Sequence, residues 1–359
     1  MILRQAQDRP TVSVIMAVYN GAGLVGETVD SLLAQSFVDW ELVAVDDCSK
    51  DDSVAVLEAF GDPRIRVVRA GTNGGPVLAR NRAFAEARGR YIAALDQDDI
   101  CLPERFARQV AYLDTHSDTV LVSSAACVLS EGRVRPGGWI RPLTPGLIDW
   151  LMLVQNPIVW SSVMFRAEAA RRLDPFERPE MRYVEDFDLY HRLRAFGRIA
   201  QIDEELLQYR VHAGGASQVY ATTMRAHASK LLTERHAARM GRDDPGIAPL
   251  VVRHCMEGAP VPDGATLARL FEGIALLRAD FGRRGHDDAT LALVDREISR
   301  LWWRVCRAAV RSGTLPLRQA LAARPKAVAL GEGQAAALMV SQVIGGVRAL
   351  RRGVARRSG

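Results

Sequence analysis

Four acidic or polar residues in a row, Asp96-Gln97-Asp98-Asp99, follow directly on the apolar run Tyr91 to Leu95. Carboxylates so close together repel unless a cation or a proton lies among them. Hard oxygen donors suit Mg2+ or Mn2+, ions that characteristically take one or two carboxylates and complete their shell with phosphate and water. The cluster therefore predicts a metal-bridged diphosphate. A plainer reading, capping of the helix ahead of Pro103, needs only one of the three acids. A second acidic group, Glu185-Asp186-Phe187-Asp188-Leu189, precedes Arg192. On a helix Asp188 and Arg192 fall at i and i+4 and can form an ordinary ion pair, whereas Glu185 and Asp186 stand at the helix start, where the macrodipole favours negative charge.

These residues need a scaffold, and the first third of the chain supplies one. Short β-branched runs at Val12 to Val18, Leu42 to Val45, Ile65 to Val68, Tyr91 to Leu95 and Val120 to Val128 alternate with helical patterns. Those patterns run from Val25 to Leu33, Val54 to Phe60, Pro76 to Arg88 and Pro103 to Leu113. The alternation predicts an α/β fold with a largely parallel sheet. In such sheets ligands bind beyond the carboxyl ends of the strands. The exits read Ala17-Val18-Tyr19-Asn20, Asp46-Asp47-Cys48-Ser49, Asn73-Gly74-Gly75-Pro76 and Asp96-Gln97-Asp98-Asp99, and all are expected along one edge. Taken singly, Asn20, Ser49 and Asp51 can merely cap helices, and Asn73-Gly74-Gly75 can be a turn.

After Ser130 a Pro/Gly-rich stretch leads to an apolar segment around Trp150 to Val154. Trp160, Ser161 and Ser162 can line an acceptor pocket or belong to the core. From about Tyr220 onward the segments 222–240, 264–283, 288–312 and 317–323 read as amphipathic helices separated by Gly, Pro and Asp clusters. Two regions are expected, 1–220 carrying the chemistry and 221–359 all-helical.

Composition narrows the class. The 359 residues are 48% hydrophobic and 25% charged, ordinary for a folded globular protein. Lys plus Arg total 47 against 42 acids, and this excess of +5 is too small to argue for nucleic acid. It concentrates in Arg348, Arg351, Arg352, Arg356 and Arg357, a run that can touch anionic lipid or simply be solvated. Five cysteines without a CxxC pair speak against zinc-ribbon and disulfide frameworks and for a reducing compartment. Neither a signal-peptide core nor an apolar run of spanning length is present in the sequence, so a cytoplasmic protein is expected, with peripheral membrane contact left open.

The segments TVSVIMAVYN, WELVAVDDCSKDDS, NGGPVLARNRA, GRYIAALDQDD and YVEDFDLYHRL, in this order, resemble the successive motifs of the inverting glycosyltransferases of family 2 over roughly the first 215 residues. The resemblance implies a GT-A fold, meaning a Rossmann-like, mixed and mostly parallel sheet flanked by helices. It further implies a nucleotide-sugar donor, with UDP as the expected nucleotide, and a divalent cofactor, Mn2+ or Mg2+. By that similarity Ala17, Val18 and Tyr19 border the nucleobase and Asp47 hydrogen-bonds its edge. Asn73 and Arg80 belong to the donor side, Asp96 meets the ribose, Gln97 lies within the DxD motif and Asp98 binds the metal. Asp186 occupies the position of the general base, and one base suffices for an inverting transfer.

Tyr209-Arg210-Val211-His212 resembles a motif that closes the donor site, which makes His212 a candidate for the metal or diphosphate. Two departures stand out, Ala22 where relatives commonly carry an acid, and Cys48-Ser49-Lys50 where Gly-Ser-Thr is frequent. The implied activity is transfer of a sugar to a hydroxyl of a glycan or lipid-linked acceptor, in the context of surface polysaccharide assembly. The competing reading is a catalytically silent GT-A scaffold that binds a nucleotide or a biosynthetic partner. A dinucleotide oxidoreductase lacks its GxGxxG turn, and a hydrolase lacks its GxSxG elbow.

Overall fold

A computed structural model describes residues 9–138, 142–212, 214–215, 219–325 and 337–345. The chain divides into two compact units, the first comprising residues 1–148 and 157–224, the second 149–156 and 225–359. The arginines from Arg348 to Arg357 lie outside the described residues.

The first unit is built on one sheet in the order β3-β2-β1-β4-β8-β6-β9-β5, with β7 paired to β6. Its amino-terminal half alternates strictly: β1 (Val12–Val18), α1 (Val25–Leu33), β2 (Trp40–Asp46), α2 (Ser53–Ala59), β3 (Ile65–Arg69), α3 (Pro76–Glu86) and β4 (Tyr91–Ala94). β1 pairs in parallel with both β2 and β4, and β2 with β3, the arrangement the β-branched runs predict. β1 and β2 are buried over nearly their whole length because helices cover both faces. Val12, Val14, Met16 and Val18 meet Leu32, Leu42, Leu57 and Phe106 in the core; each such side chain contributes about 1.5–3 kcal/mol.

The carboxyl half departs from strict alternation. β5 (Ile100–Cys101), α4 (Arg105–Thr115), β6 (Thr119–Ser130), β7 (Arg133–Pro136), α5 (Pro145–Leu151), β8 (Met164–Arg166), α6 (Ala167–Ala170), α7 (Glu185–Leu193) and β9 (Arg198–Arg210) follow. β8 runs antiparallel to β4 and β6, while β6 and β9 form a long parallel ladder interrupted by bulges. The sheet is therefore mixed, with the longer ladders parallel. α4 starts at Arg105, two residues later than Pro103 suggests, because Leu102 turns to accept from the Arg105 N–H. The Arg105 guanidinium is fully buried and donates to the carbonyls of Ala94 and Val163, tying the end of β4 to the chain entering β8.

The second unit contains α8 (Ala221–Met240) from Arg225 on, α9 (Gly264–Gly282), α10 (Asp288–Ser312) and α11 (Leu317–Ala322), close to the ranges the periodicity predicts. Asp263 and Asp287 cap α9 and α10, each accepting from an N–H three residues on at 2.7 Å. Gly313, at φ +74°, ends α10 in the left-handed conformation that glycine adopts without a Cβ penalty. The segment 149–156 joins this unit: Trp150 packs edge-to-face on Phe281, and His236 is hydrogen-bonded through Nε2 to the Leu153 carbonyl. All five cysteines are free thiols. Among the described residues no helix is long and apolar enough to cross a membrane.

Candidate active site

The strand exits assemble along one edge of the parallel half. The Val18 carbonyl at the end of β1 accepts from the Asp47 N–H, so Ala17, Val18 and Tyr19 lie beside Asp47. Val18 is buried, Ala17 half-buried and the Tyr19 ring exposed. Both carboxylate oxygens of Asp47 accept backbone N–H groups, from Gly74 and Gly75 at 2.7 Å each, and Asn73 Nδ2 donates to the Asp47 carbonyl at 2.8 Å. Gly75 sits at φ +84°, the left-handed conformation that favours glycine, and a Cβ there would lie 2.8 Å from the Arg182 guanidinium, which would have to move aside.

The loops after β1 and β2 brace each other. Asn20 Oδ1 accepts from the Lys50 N–H, Ser49 Oγ from the Asn20 N–H and Asp51 Oδ2 from the Ala22 N–H. Ser49, Asp51 and Asn20 thus spend these acceptors on cross-loop contacts, and no side-chain cap is made at the residue preceding α1 or α2. Cys48 stands at φ +64°, the left-handed region, where a glycine would be unstrained.

At the exit of β4, Gln97 clamps the first loop. Its Oε1 accepts from the Tyr19 N–H at 2.9 Å, and its Nε2 donates to the Tyr19 carbonyl at 3.1 Å. Thr28 Oγ1 on α1 holds the Gln97 carbonyl. Ser161 Oγ, fully buried, accepts from the Asp96 N–H at 3.0 Å, so this serine supports the acidic loop from beneath. From β9, the Arg210 N–H donates to Asp99 Oδ1 and Arg210 Nε to the Asp98 carbonyl. Two residues on, His212 Nε2 lies 2.8 Å from Asp98 Oδ2. Burial among neighbouring acids pushes the Asp96 carboxyl up to about 6, with Asp98 and Glu185 adding to the effect and Arg80 opposing it, although a third of the side chain is open to solvent. Asp99 is displaced well upward by its burial and then by the charges of Asp98 and Asp96.

Behind this loop, one guanidinium joins three acids. Arg80, on α3, donates through Nε to both oxygens of Glu177 at 3.0–3.1 Å, through Nη2 to Glu185, and brings Nη1 to 3.7 Å from Asp96. Its carbon stands 5.1 Å from the centre of the Trp160 ring, which is buried. Burial disfavours the cation, but Glu177, Glu185 and Asp96 outweigh that and hold Arg80 firmly charged. Full burial, helped by Glu185 and Asp186, pushes the Glu177 carboxyl upward, and the Arg80 cation opposes that and favours its charged form. Arg80 thereby joins the start of α7 to the acidic loop. In the first turn of that helix Asp186 Oδ1 accepts its neighbour Phe187's N–H at 2.7 Å. Asp188 is wholly buried and accepts from Arg192, as the i,i+4 spacing predicts, and also from Arg178 at 2.7 Å.

The strand-exit residues, the acidic loop, His212 and the start of α7 are thus linked by named contacts. The sequence reading missed Glu177, which has no local pattern to mark it, and the two-way clamp of Gln97 on Tyr19. Among the described residues no three His, Cys, Asp or Glu side chains converge as a self-sufficient metal site. A carboxylate and an imidazole one hydrogen bond apart fit an ion that draws its other ligands from diphosphate and water.

Residues 13–174 match the family described as Glycosyl transferase family 2. The chain is 34% identical over 187 residues to the putative glycosyltransferase EpsE of Bacillus subtilis, covering 51% of this chain and 66% of EpsE. It is 30% identical over 210 residues to the Escherichia coli UDP-Glc:alpha-D-GlcNAc-diphosphoundecaprenol beta-1,3-glucosyltransferase WfaP, covering 57% and 79%. The fold is similar to that of S. aureus TarS 1–349 in complex with UDP-GlcNAc (TM-score 0.53, 18% identity, 96% and 92% covered). It is also similar to that of the mannosyltransferase PcManGT from Pyrobaculum calidifontis in complex with GDP-Man and Mn2+ (TM-score 0.53, 18% identity, 88% and 86% covered). The fold is GT-A, and the chain belongs to glycosyltransferase family 2. It spans 66%, 32% and 44% of the length of three of the curated relatives it matches.

Proposed function

We propose that the chain is a metal-dependent inverting glycosyltransferase, with its catalytic domain in residues 1–220 apart from the segment 149–156, which belongs to the helical unit. It would move a sugar from a nucleotide-sugar, UDP-linked in the first instance, to a hydroxyl of a glycan or lipid-linked acceptor in surface polysaccharide assembly. The observation that carries this reading is the Arg80 junction, which sets the start of α7, where Asp186 stands, against the acidic loop, whose Asp98 meets His212 from the end of β9. Ala17, Val18, Tyr19, Asp47 and Asn73 would border the nucleobase, and Asp96 and Gln97 the ribose. Arg80, committed to three carboxylates, would meet the donor only through the Nη1 edge that faces Asp96. Asp98 and His212 would hold Mn2+ or Mg2+, which when bound supplies charge neutralisation for the departing diphosphate. Asp186 would take the proton of the acceptor hydroxyl as that oxygen bonds to the anomeric carbon and the carbon–diphosphate bond breaks on the opposite side. The bound donors of TarS and PcManGT and the Mn2+ of PcManGT support a nucleotide-sugar and a divalent ion, and the WfaP name supports UDP and a lipid-linked acceptor. A cytoplasmic location, with peripheral contact to the inner membrane face through the carboxy-terminal arginines, is part of the same proposal.

Calorimetric titration with UDP-sugars and GDP-sugars, in Mn2+ and again in EDTA, tests it. Binding of one nucleotide class that disappears with EDTA is expected. Absence of binding to every donor would overturn the reading in favour of a silent scaffold.

A further inference from the structure

Immediately before the Glu185-Asp186 pair the backbone takes a conformation that a bulky side chain rarely adopts. Tyr183 stands at φ +71°, one of four non-glycine residues with positive φ among those described and the only one that is aromatic. Such strain persists where surrounding structure holds it in place, and it clusters at sites with a task. Here the contacts are specific. The Tyr183 ring stacks on Tyr220 with centroids 4.1 Å apart and planes within 11°. The Arg182 guanidinium carbon lies 5.0 Å from the Tyr183 ring centre, and the same guanidinium packs against Gly75, whose N–H is held by Asp47. Tyr183 is half-buried, whereas Tyr220 remains 41% exposed, with Val219 beside it 56% exposed. The strained backbone thus supports a stack whose outer member is open to solvent. It stands three residues before Asp186 on one side and eight after His212 on the other.

An aromatic ring fixed in this way offers a flat apolar surface rimmed by a phenolic hydroxyl. A pyranose has the matching chemistry, because its ring C–H groups form an apolar face and its hydroxyls lie around the edge. Two side chains braced against each other also lose little conformational freedom when a ligand arrives, which favours binding. We propose that the Tyr183–Tyr220 stack is a pyranose-binding platform, with the exposed part of Tyr220 taking the acceptor sugar whose hydroxyl faces Asp186. The inference rests on the reading of Asp186 as the acceptor-side base.

Saturation-transfer NMR with a panel of methyl hexopyranosides, in the presence of UDP and Mn2+, is the test. The wild-type protein should saturate the ring C–H protons of at least one pyranoside. Tyr220→Ala should lose most of that signal, at least fivefold, while Tyr220→Phe, which keeps the ring, should retain it. UDP-sugar affinity, measured by calorimetry on UDP-free preparations of the same proteins, should stay within twofold. An unchanged pyranoside signal in Tyr220→Ala, or none from the wild-type protein, would overturn the platform. A matching loss of UDP-sugar affinity would also overturn the acceptor assignment and give the ring to the donor sugar. The wider functional reading fails separately, if no nucleotide-sugar binds the wild-type protein.

Discussion

His212 Nε2 and Asp98 Oδ2 stand 2.8 Å apart, although 114 positions separate them in the chain. β9 delivers the histidine to the acidic loop, and Arg210 fixes the register by donating its N–H to Asp99. If the pair holds a divalent ion, His212→Ala should weaken the apparent Mn2+ affinity about tenfold and Asp98→Ala more severely. Donor titrations over a range of Mn2+ concentrations would measure both, and donor affinity indifferent to metal in the wild-type protein would defeat the assignment.

Asp186→Asn keeps the size of the side chain and removes its basicity. Turnover should fall by at least ~100-fold, the usual contribution of a general base, while donor affinity stays within twofold. Steady-state kinetics combined with calorimetry separate the two quantities, and unchanged turnover would exclude Asp186 as the base.

Gly21 lies under the Gln97 clamp, where an added Cβ would meet Gln97 Oε1 at 2.3 Å. Gly21→Ala should push the amide off the Tyr19 backbone and raise the donor KM several-fold, with a thermal midpoint within a few degrees of wild type. A donor KM equal to that of wild type would show that the clamp does not position the donor loop.

Glu41 illustrates the pH dependence of the scaffold. Burial raises its carboxyl, but hydrogen bonds from Arg88 and Ser13 outweigh that and hold it below the ordinary value of 4.5. Because the folded-state value is depressed, the stabilisation is present above about pH 4.5 and is lost as pH falls through the lower folded value. Glu41→Gln should cost roughly 1–3 kcal/mol at pH 7, and its deficit should shrink toward pH 3. Thermal midpoints of both proteins between pH 3 and 8 would show whether the two curves converge.

The parallel half of the fold is legible because each β-branched run and each helix declares itself locally, and the strand exits then place Asp47, Asn73 and Asp96 on one edge by topology alone. What escapes local reading is long-range. Glu177 matters through Arg80, 97 positions earlier, and nothing around either residue announces the partnership. β8 is only three residues long, too short for periodicity to reveal that it runs antiparallel between β4 and β6. Cys48 is the reverse case, since the departure from glycine is visible in the sequence while its strain appears only with the backbone angle.

The segment 149–156 leaves the first unit to complete the second, so the polypeptide crosses between the units three times, after residues 148, 156 and 224. The helical portion is consequently not a detachable tail. A protein ended at residue 220 would still carry Trp150 and Leu153 but would lack Phe281 and His236, to which they are joined. Its apolar surface would be uncovered and prone to self-association. Exchange of this region between related enzymes would therefore require two coordinated splices, one near residues 149–156 and one near 224.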